Sequence, residues 1–171
     1  DIEFAGQVVK LNVTDPVITA GVSIKKTGYA QTMNNNIMRW TVSGVRNDST
    51  TSLQSFYWRD TLPTDAVRLT RLVTGTYSTT QTYKVTFTTN LNSQWRTAYD
   101  NLSTAKNYTL DMSSAALGLA SNEYVTQFML SFGIVPAGFH QLTNATVDAQ
   151  TLYALTNGYK FTNKRRFPAQ R

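Results

Sequence analysis

The stretch Ser55-Phe56-Tyr57-Trp58-Arg59-Asp60-Thr61-Leu62-Pro63 decides the fold class. Phe56 and Trp58 stand at alternate positions, the period of two expected when one face of a strand packs on a core and the other meets solvent. Asp60 continues the phase of the two large aromatics, whereas Tyr57 and Arg59 take the opposite face. Leu62-Pro63 ends the strand, because proline has no amide hydrogen to carry a ladder onward.

The same alternation recurs on both sides. Towards the start, Val9, Leu11 and Val13 mark a lead-in strand within residues 1–20 that Asp15-Pro16 closes. Val22 and Ile24 point inward in a second strand, and Lys26 falls in their phase. Asn34-Asn35-Asn36 is a turn cluster, followed by Met38, Trp40 and Val42 in a third strand and a loop at Asn47-Asp48-Ser49-Thr50. After Pro63, Val67 and Leu69 open a strand whose phase breaks near Arg71-Leu72-Val73, as at a bulge, and Gly75 closes it. Tyr83, Val85 and Phe87 alternate cleanly, and Gln94 to Tyr99 and Asn107 to Leu110 read as short strands. Ser113 to Ala120 predicts one short helix with serine caps, limited by Gly118. Tyr124 to Ile134 is the longest strand, and Val147 to Leu155 and Tyr159 to Asn163 complete the set. Turn signals recur about every 10 residues, the rhythm of a sandwich. The reading is one all-β domain over residues 1–171, an antiparallel immunoglobulin-like β-sandwich with one short helix, inserted hairpins at 76–123 and a basic tail or linker at 164–171.

Composition agrees. The 171 residues are 41% hydrophobic and 12% aromatic, enough for a real core, while only 15% are charged. Absence of cysteine excludes disulfides, thiolate metal sites and a cysteine nucleophile. The net charge of +6 invites a nucleic-acid reading, but Lys160, Lys164, Arg165, Arg166 and Arg171 supply five of the 16 basic residues. The other 11 face ten acids, so the body is close to neutral and no nucleic-acid partner is expected. No apolar run reaches the roughly 18 to 20 residues that cross a bilayer, so direct membrane insertion is not expected. If the protein is secreted, its signal and any wall anchor belong to a longer chain of which this is one domain.

Chemistry-bearing residues are sparse. His140 is the single histidine and cannot build a metal site with a second one. Asp60 and Asp65 flank a proline turn, where aspartate is ordinary turn chemistry. No metal, cofactor or catalytic constellation is expected. Five Asn-x-Ser/Thr sequons, at Asn12, Asn47, Asn101, Asn107 and Asn144, carry no weight in a chain so rich in these residues. Tyr57 beside Arg59, and Trp95 with Tyr99 in the insertion, are the candidate ligand contacts, since a flat aromatic can stack on a sugar ring or equally pack under a hairpin. A carbohydrate-binding module is therefore the alternative function.

The order of short motifs resembles the tandem "conserved repeat" domain of unknown function, an immunoglobulin-like sandwich recurring in surface proteins of Gram-positive and other bacteria. The residues that carry the resemblance are Ile24-Lys25-Lys26-Thr27-Gly28, Arg39-Trp40-Thr41-Val42 leading to Asn47, Asp60-Thr61-Leu62-Pro63, and Gly158-Tyr159-Lys160-Phe161-Thr162-Asn163. Trp40 stands where that family favours tyrosine, and the stretch between Gly75 and Glu123 is an insertion relative to it. The resemblance implies a non-enzymatic spacer or adhesion module at the bacterial cell surface or cell wall, with neighbouring domains of the same chain, and a host protein or glycan, as partners. Related bacterial sandwich domains join a lysine amine to an asparagine carboxamide beside a proton-relaying acid. Lys26, Asp60 and Asn163, each in the inward phase of its strand, are the crosslink candidates here; the competing reading leaves all three at strand ends, with Lys26 snorkelling, Asp60 capping the turn and Asn163 bonding a loop.

Overall fold

The computed structural model describes residues 22–30 and 36–152, and it is all-β with antiparallel sheets. Its strands are β1 (Val22–Ala30), β2 (Ile37–Asn47), β3 (Leu53–Thr61), β4 (Val67–Val73), β5 (Thr76–Tyr77), β6 (Thr82–Thr89), β7 (Arg96–Ser103), β8 (Thr109–Asp111), β9 (Val125–Val135), β10 (Gln141–Thr143) and β11 (Ala145–Thr151). A five-stranded sheet runs β1-β2-β11-β4-β8, a four-stranded sheet runs β3-β9-β6-β7, and β10-β5 form a small third pair. The region expected as an insertion adds β6 and β7 to one large sheet and β8 to the other.

The period-2 pattern becomes burial. Met38, Trp40 and Val42 from β2 are buried, as are Phe56 and Trp58 from β3, Val85 and Phe87 from β6, and Phe128, Leu130 and Phe132 from β9. Residues of both large sheets join one buried cluster, an arrangement consistent with a β-sandwich. The break of phase foreseen near Arg71 is a bulge: Arg71 pairs with Asp148 and Leu69 with Ala149, so Thr70 is extra on β4.

The short helix is corrected. Residues 113–120 make one hydrogen-bonded turn, Ser113 Oγ accepting from the Ala116 amide and Leu117 N donating to the Ser113 carbonyl. Gly118, at φ +68°, then reverses the chain, with Leu119 N bonded to the Ser114 carbonyl and Gly118 N to that of Ala115. Those two bonds are the usual glycine stop of a helix, placed so early that no helix follows its cap. The expected lead-in strand, the strand Tyr159 to Asn163 and the basic tail lie outside the described residues.

The third pair is locked to the four-stranded sheet by a chain of donors. Trp58 Nε1 donates to Tyr77 Oη at 3.1 Å, and Tyr77 Oη donates to the Thr74 carbonyl at 2.9 Å. Around it the Tyr77 ring meets Phe132 edge-on at 4.8 Å and stacks on Phe139 at 5.8 Å. Burial pushes the Tyr77 hydroxyl far above the ordinary phenol range, against the opposing pull of the Trp58 bond. Tyr77→Phe leaves an indole N–H and a carbonyl without their shared partner, so denaturant unfolding is expected to show a loss of about 1–3 kcal/mol. Tyr99→Phe, which removes a bond on the exposed side, is expected to cost less than about 1 kcal/mol, and equal losses would contradict this account.

Candidate functional site

Of the three crosslink candidates, Asp60 is fully buried in β3, opposite Phe128 of β9, and carries a hydrogen-bond or electrostatic interaction. It is therefore a core carboxyl, whereas Asp65, its neighbour across the proline turn, is exposed. Lys26 lies on β1 of the other large sheet, in register with Val42, a fully buried position of β2. Asn163 lies outside the described residues.

The three candidate ligand aromatics are not brought together. Tyr99 pairs with the buried Val85, packs against the core, and donates its hydroxyl to the Asp111 carbonyl of β8 at 2.9 Å, bracing one large sheet to the other. Trp95 is 37% exposed in the loop before β7. Tyr57 alone of the three lines a groove, about 520 Å³ in volume, on the four-stranded sheet, whose lining also takes in the core residues Phe56, Tyr83 and Phe132.

Register builds that groove. Tyr57 of β3, Ser131 of β9 and Lys84 of β6 are direct partners, so they form one row across three strands on one face. The Arg59 guanidinium lies 5.7 Å from the Tyr57 ring centroid, and Met129 is its partner on β9. Two bulges bound the row. On β9, Phe56 pairs with Gly133 and Tyr57 with Ser131, and Gly133 takes φ +73° with open space where a Cβ would stand. On β7, Tyr83 pairs with Leu102 and Val85 with Tyr99, so Lys84 faces both Asp100 and Asn101. Asn101 has φ +55°, the only left-handed non-glycine among the described residues, and its amide donates to Asp100 Oδ1 at 2.7 Å. Sequence periodicity put Tyr57 and Lys84 outward; it missed Ser131 and Asp100 as their neighbours, although an Asp-Asn pair inside a strand is a residue choice that favours left-handed backbone.

A second depression, of about 510 Å³, lies on the five-stranded sheet and includes Thr70, Arg71, Asp111 and Asp148. Its charges engage one another. Arg39, Asp148 and Arg71 are direct partners on β2, β11 and β4, and Arg71 in turn pairs with Asp111 of β8. Arg39 grips both oxygens of Asp148 at 2.6 and 2.8 Å, and Arg71 reaches Oδ2 at 2.9 Å. Burial acts to raise the Asp148 carboxyl, but the bonds and charge of the two guanidiniums outweigh it and hold it below the usual carboxylate range.

Other polar residues are structural anchors. Asn47, a sequon residue, is buried with Nδ2 donating to the Thr51 and Pro136 carbonyls and Oδ1 accepting from Ser49 N and Oγ. His140 bonds the Gly138 carbonyl through Nδ1 at 2.9 Å. Glu123 ties its segment to the β6–β7 hairpin, accepting from Thr89 Oγ1 and Arg96 at 2.6 Å each. No group of acids and histidines among the described residues is placed to hold a metal ion. Comparisons with protein-family models, with curated proteins and with solved structures find no match.

The Asp148 ladder fixes an acid limb of stability. Because the folded carboxyl titrates below its unfolded value, its contribution is present above the unfolded pKa and is lost as pH falls through the folded one. Asp148→Asn is expected to lose about 1–3 kcal/mol at neutral pH, less than a fully buried pair because the Arg39 and Arg71 side chains are 27% and 45% exposed. Urea unfolding across acid pH should show that gap between wild type and variant closing as pH falls; a gap that does not change with pH would refute the ladder's role.

Proposed function

We propose that this chain is a non-enzymatic structural module of a bacterial cell-surface protein, a stalk or adhesion unit of the immunoglobulin-like kind within a longer secreted chain. Two features support the reading. β1 and β2 share one large sheet while β3 crosses to the other, the exchange that immunoglobulin-like sandwiches make between their second and third strands. The observation that carries it is the fully buried Asp60. A carboxyl is kept in an aromatic core where it is held by a partner, and the presence of Asp60 there is explained if it serves a reaction completed during folding.

That reaction is the Lys26–Asn163 crosslink. Lys26 Nζ, neutral when buried, attacks Asn163 Cγ; the new C–N bond forms, the Cγ–Nδ2 bond breaks, and Nδ2 leaves as ammonia with the proton that Asp60 relays from the amine. The product is an isopeptide bond spanning most of the chain, which suits a module that bears load between neighbouring domains.

Intact-mass measurement on the denatured full chain tests the bond. The expected mass is one ammonia below that of the sequence, restored to the unmodified value in Asp60→Ala. Force extension tests the mechanical role: pulled by its ends, a crosslinked chain lengthens only by residues outside the loop from Lys26 to Asn163. An unmodified mass together with full extension would overturn the crosslinked-stalk reading.

A further inference from the structure

We infer that the groove of Tyr57, Lys84, Asp100 and Ser131 binds a neutral oligosaccharide. Asp60 is not among the residues that line the groove, so this site does not depend on the crosslink.

The shape of the site comes from the two bulges. A regular antiparallel sheet presents a flat, pleated outer face; an extra residue bends the strand locally and re-aims its side chains. Here one bulge removes a side chain at Gly133, leaving open space beside the row, and the other turns Asp100 and Asn101 against Lys84. Asn101 holds a left-handed conformation, which asparagine adopts more readily than other non-glycine residues and which turns the strand towards Lys84. The resulting volume, about 520 Å³, is in the range of small-molecule sites, roughly 300–1,000 Å³.

The lining selects the ligand class. A sugar ring has an apolar C–H face and a rim of hydroxyls that both donate and accept. The Tyr57 ring and the Met129 thioether offer an apolar platform for the first. For the second, Ser55, Thr82 and Ser131 supply hydroxyls, Lys84 an ammonium donor, and Asp100 a carboxylate with acceptor capacity beyond its single bond to the Asn101 amide. Lys84 is exposed and makes no ion pair among the described residues. Lys84 and Asp100, neighbours at the β6–β7 end of the row, balance in charge, which disfavours a polyphosphate by the carboxylate and an acidic peptide by the same repulsion. The depression on the five-stranded sheet, of similar size, lacks this property because Arg71 and Asp148 bond each other.

Amide and methyl chemical shifts of the folded full chain test the assignment, with chitotriose, cellotriose and mannotriose as neutral probes, and triphosphate and a tri-glutamate peptide as charged ones. Expected are saturable shifts with at least one neutral trisaccharide, confined to Ser55, Tyr57, Lys84, Asp100, Met129 and Ser131. Tyr57→Phe should keep them, while Tyr57→Ala and Asp100→Ala, each checked for unchanged thermal unfolding, should weaken binding about tenfold or more. No shift with any trisaccharide, shifts that survive both alanine variants, or binding of the charged probes alone would overturn it. Because the mass of the chain is read separately, failure here and failure of the crosslink are told apart.

Discussion

The hydrogen bond from Trp58 Nε1 to Tyr77 Oη is the constraint on which the buried architecture turns. Burying an indole N–H or a phenol O–H costs less when the group is hydrogen-bonded, and each member of this relay gives the next its partner. The Thr74 carbonyl accepts from the phenol, so one relay joins β3, β5 and the end of β4. Phe56, Phe132 and Phe139 then pack edge to face about it at 5.5 to 5.9 Å, which brings the segment before β10 under the four-stranded sheet. Removing the relay would leave polar atoms inside the aromatic cluster, a cost that packing alone does not offset.

From that fixed interior, the two large sheets treat their outer faces differently. The five-stranded sheet answers the problem of charges on adjacent strands by alternating them in register, Arg39, Asp148, Arg71 and Asp111, so that each guanidinium or carboxylate has an opposite neighbour. The four-stranded sheet places Tyr57, Ser131 and Lys84 in register instead, a row in which an aromatic ring, a hydroxyl and an ammonium adjoin.

The fold class was legible because a period of two is a direct image of the pleat: Phe56, Trp58 and Asp60 share a phase in the sequence and are all buried in the structure. The bulge near Arg71 was legible for the same reason, as a fault in that period. What the pattern misses is pairing between strands remote in sequence. β11 lies between β2 and β4, so Asp148 meets Arg39, 109 residues away, and nothing local to either residue announces it. The groove is hidden likewise, since Tyr57 and Lys84 become neighbours only through Ser131 of β9. Tyr99, read by phase as outward, pairs with the buried Val85 on a bulged β7, so its ring packs partly against the core while its hydroxyl bonds Asp111 on the exposed side. Residues 113–120 had the composition of a helix start and the glycine of its stop within one turn, and stop signals govern when they come that early.

These outcomes share a cause that bears on where binding can reside. A bulge is tolerated in a sheet only where the extra residue has somewhere to go, because its backbone groups leave the ladder and must find water or another partner. Thr70 meets that demand internally: its carbonyl accepts from Met112 N and its hydroxyl donates to the Asp148 carbonyl. Asn101 and Gly133 are both exposed, but the β9 bulge is also held from within: its extra residue, Phe132, is buried in the aromatic cluster, and Gln81 Nε2 donates to the Phe132 and Ile134 carbonyls. An internal bulge corrects register and tightens the molecule, whereas at Asn101 the turned backbone gains only the bond from its amide to the adjacent Asp100 carboxylate. The left-handed turn at Asn101, with a second register shift beside it in the β6–β7 pairing, places the adaptable surface of this sandwich on its four-stranded face.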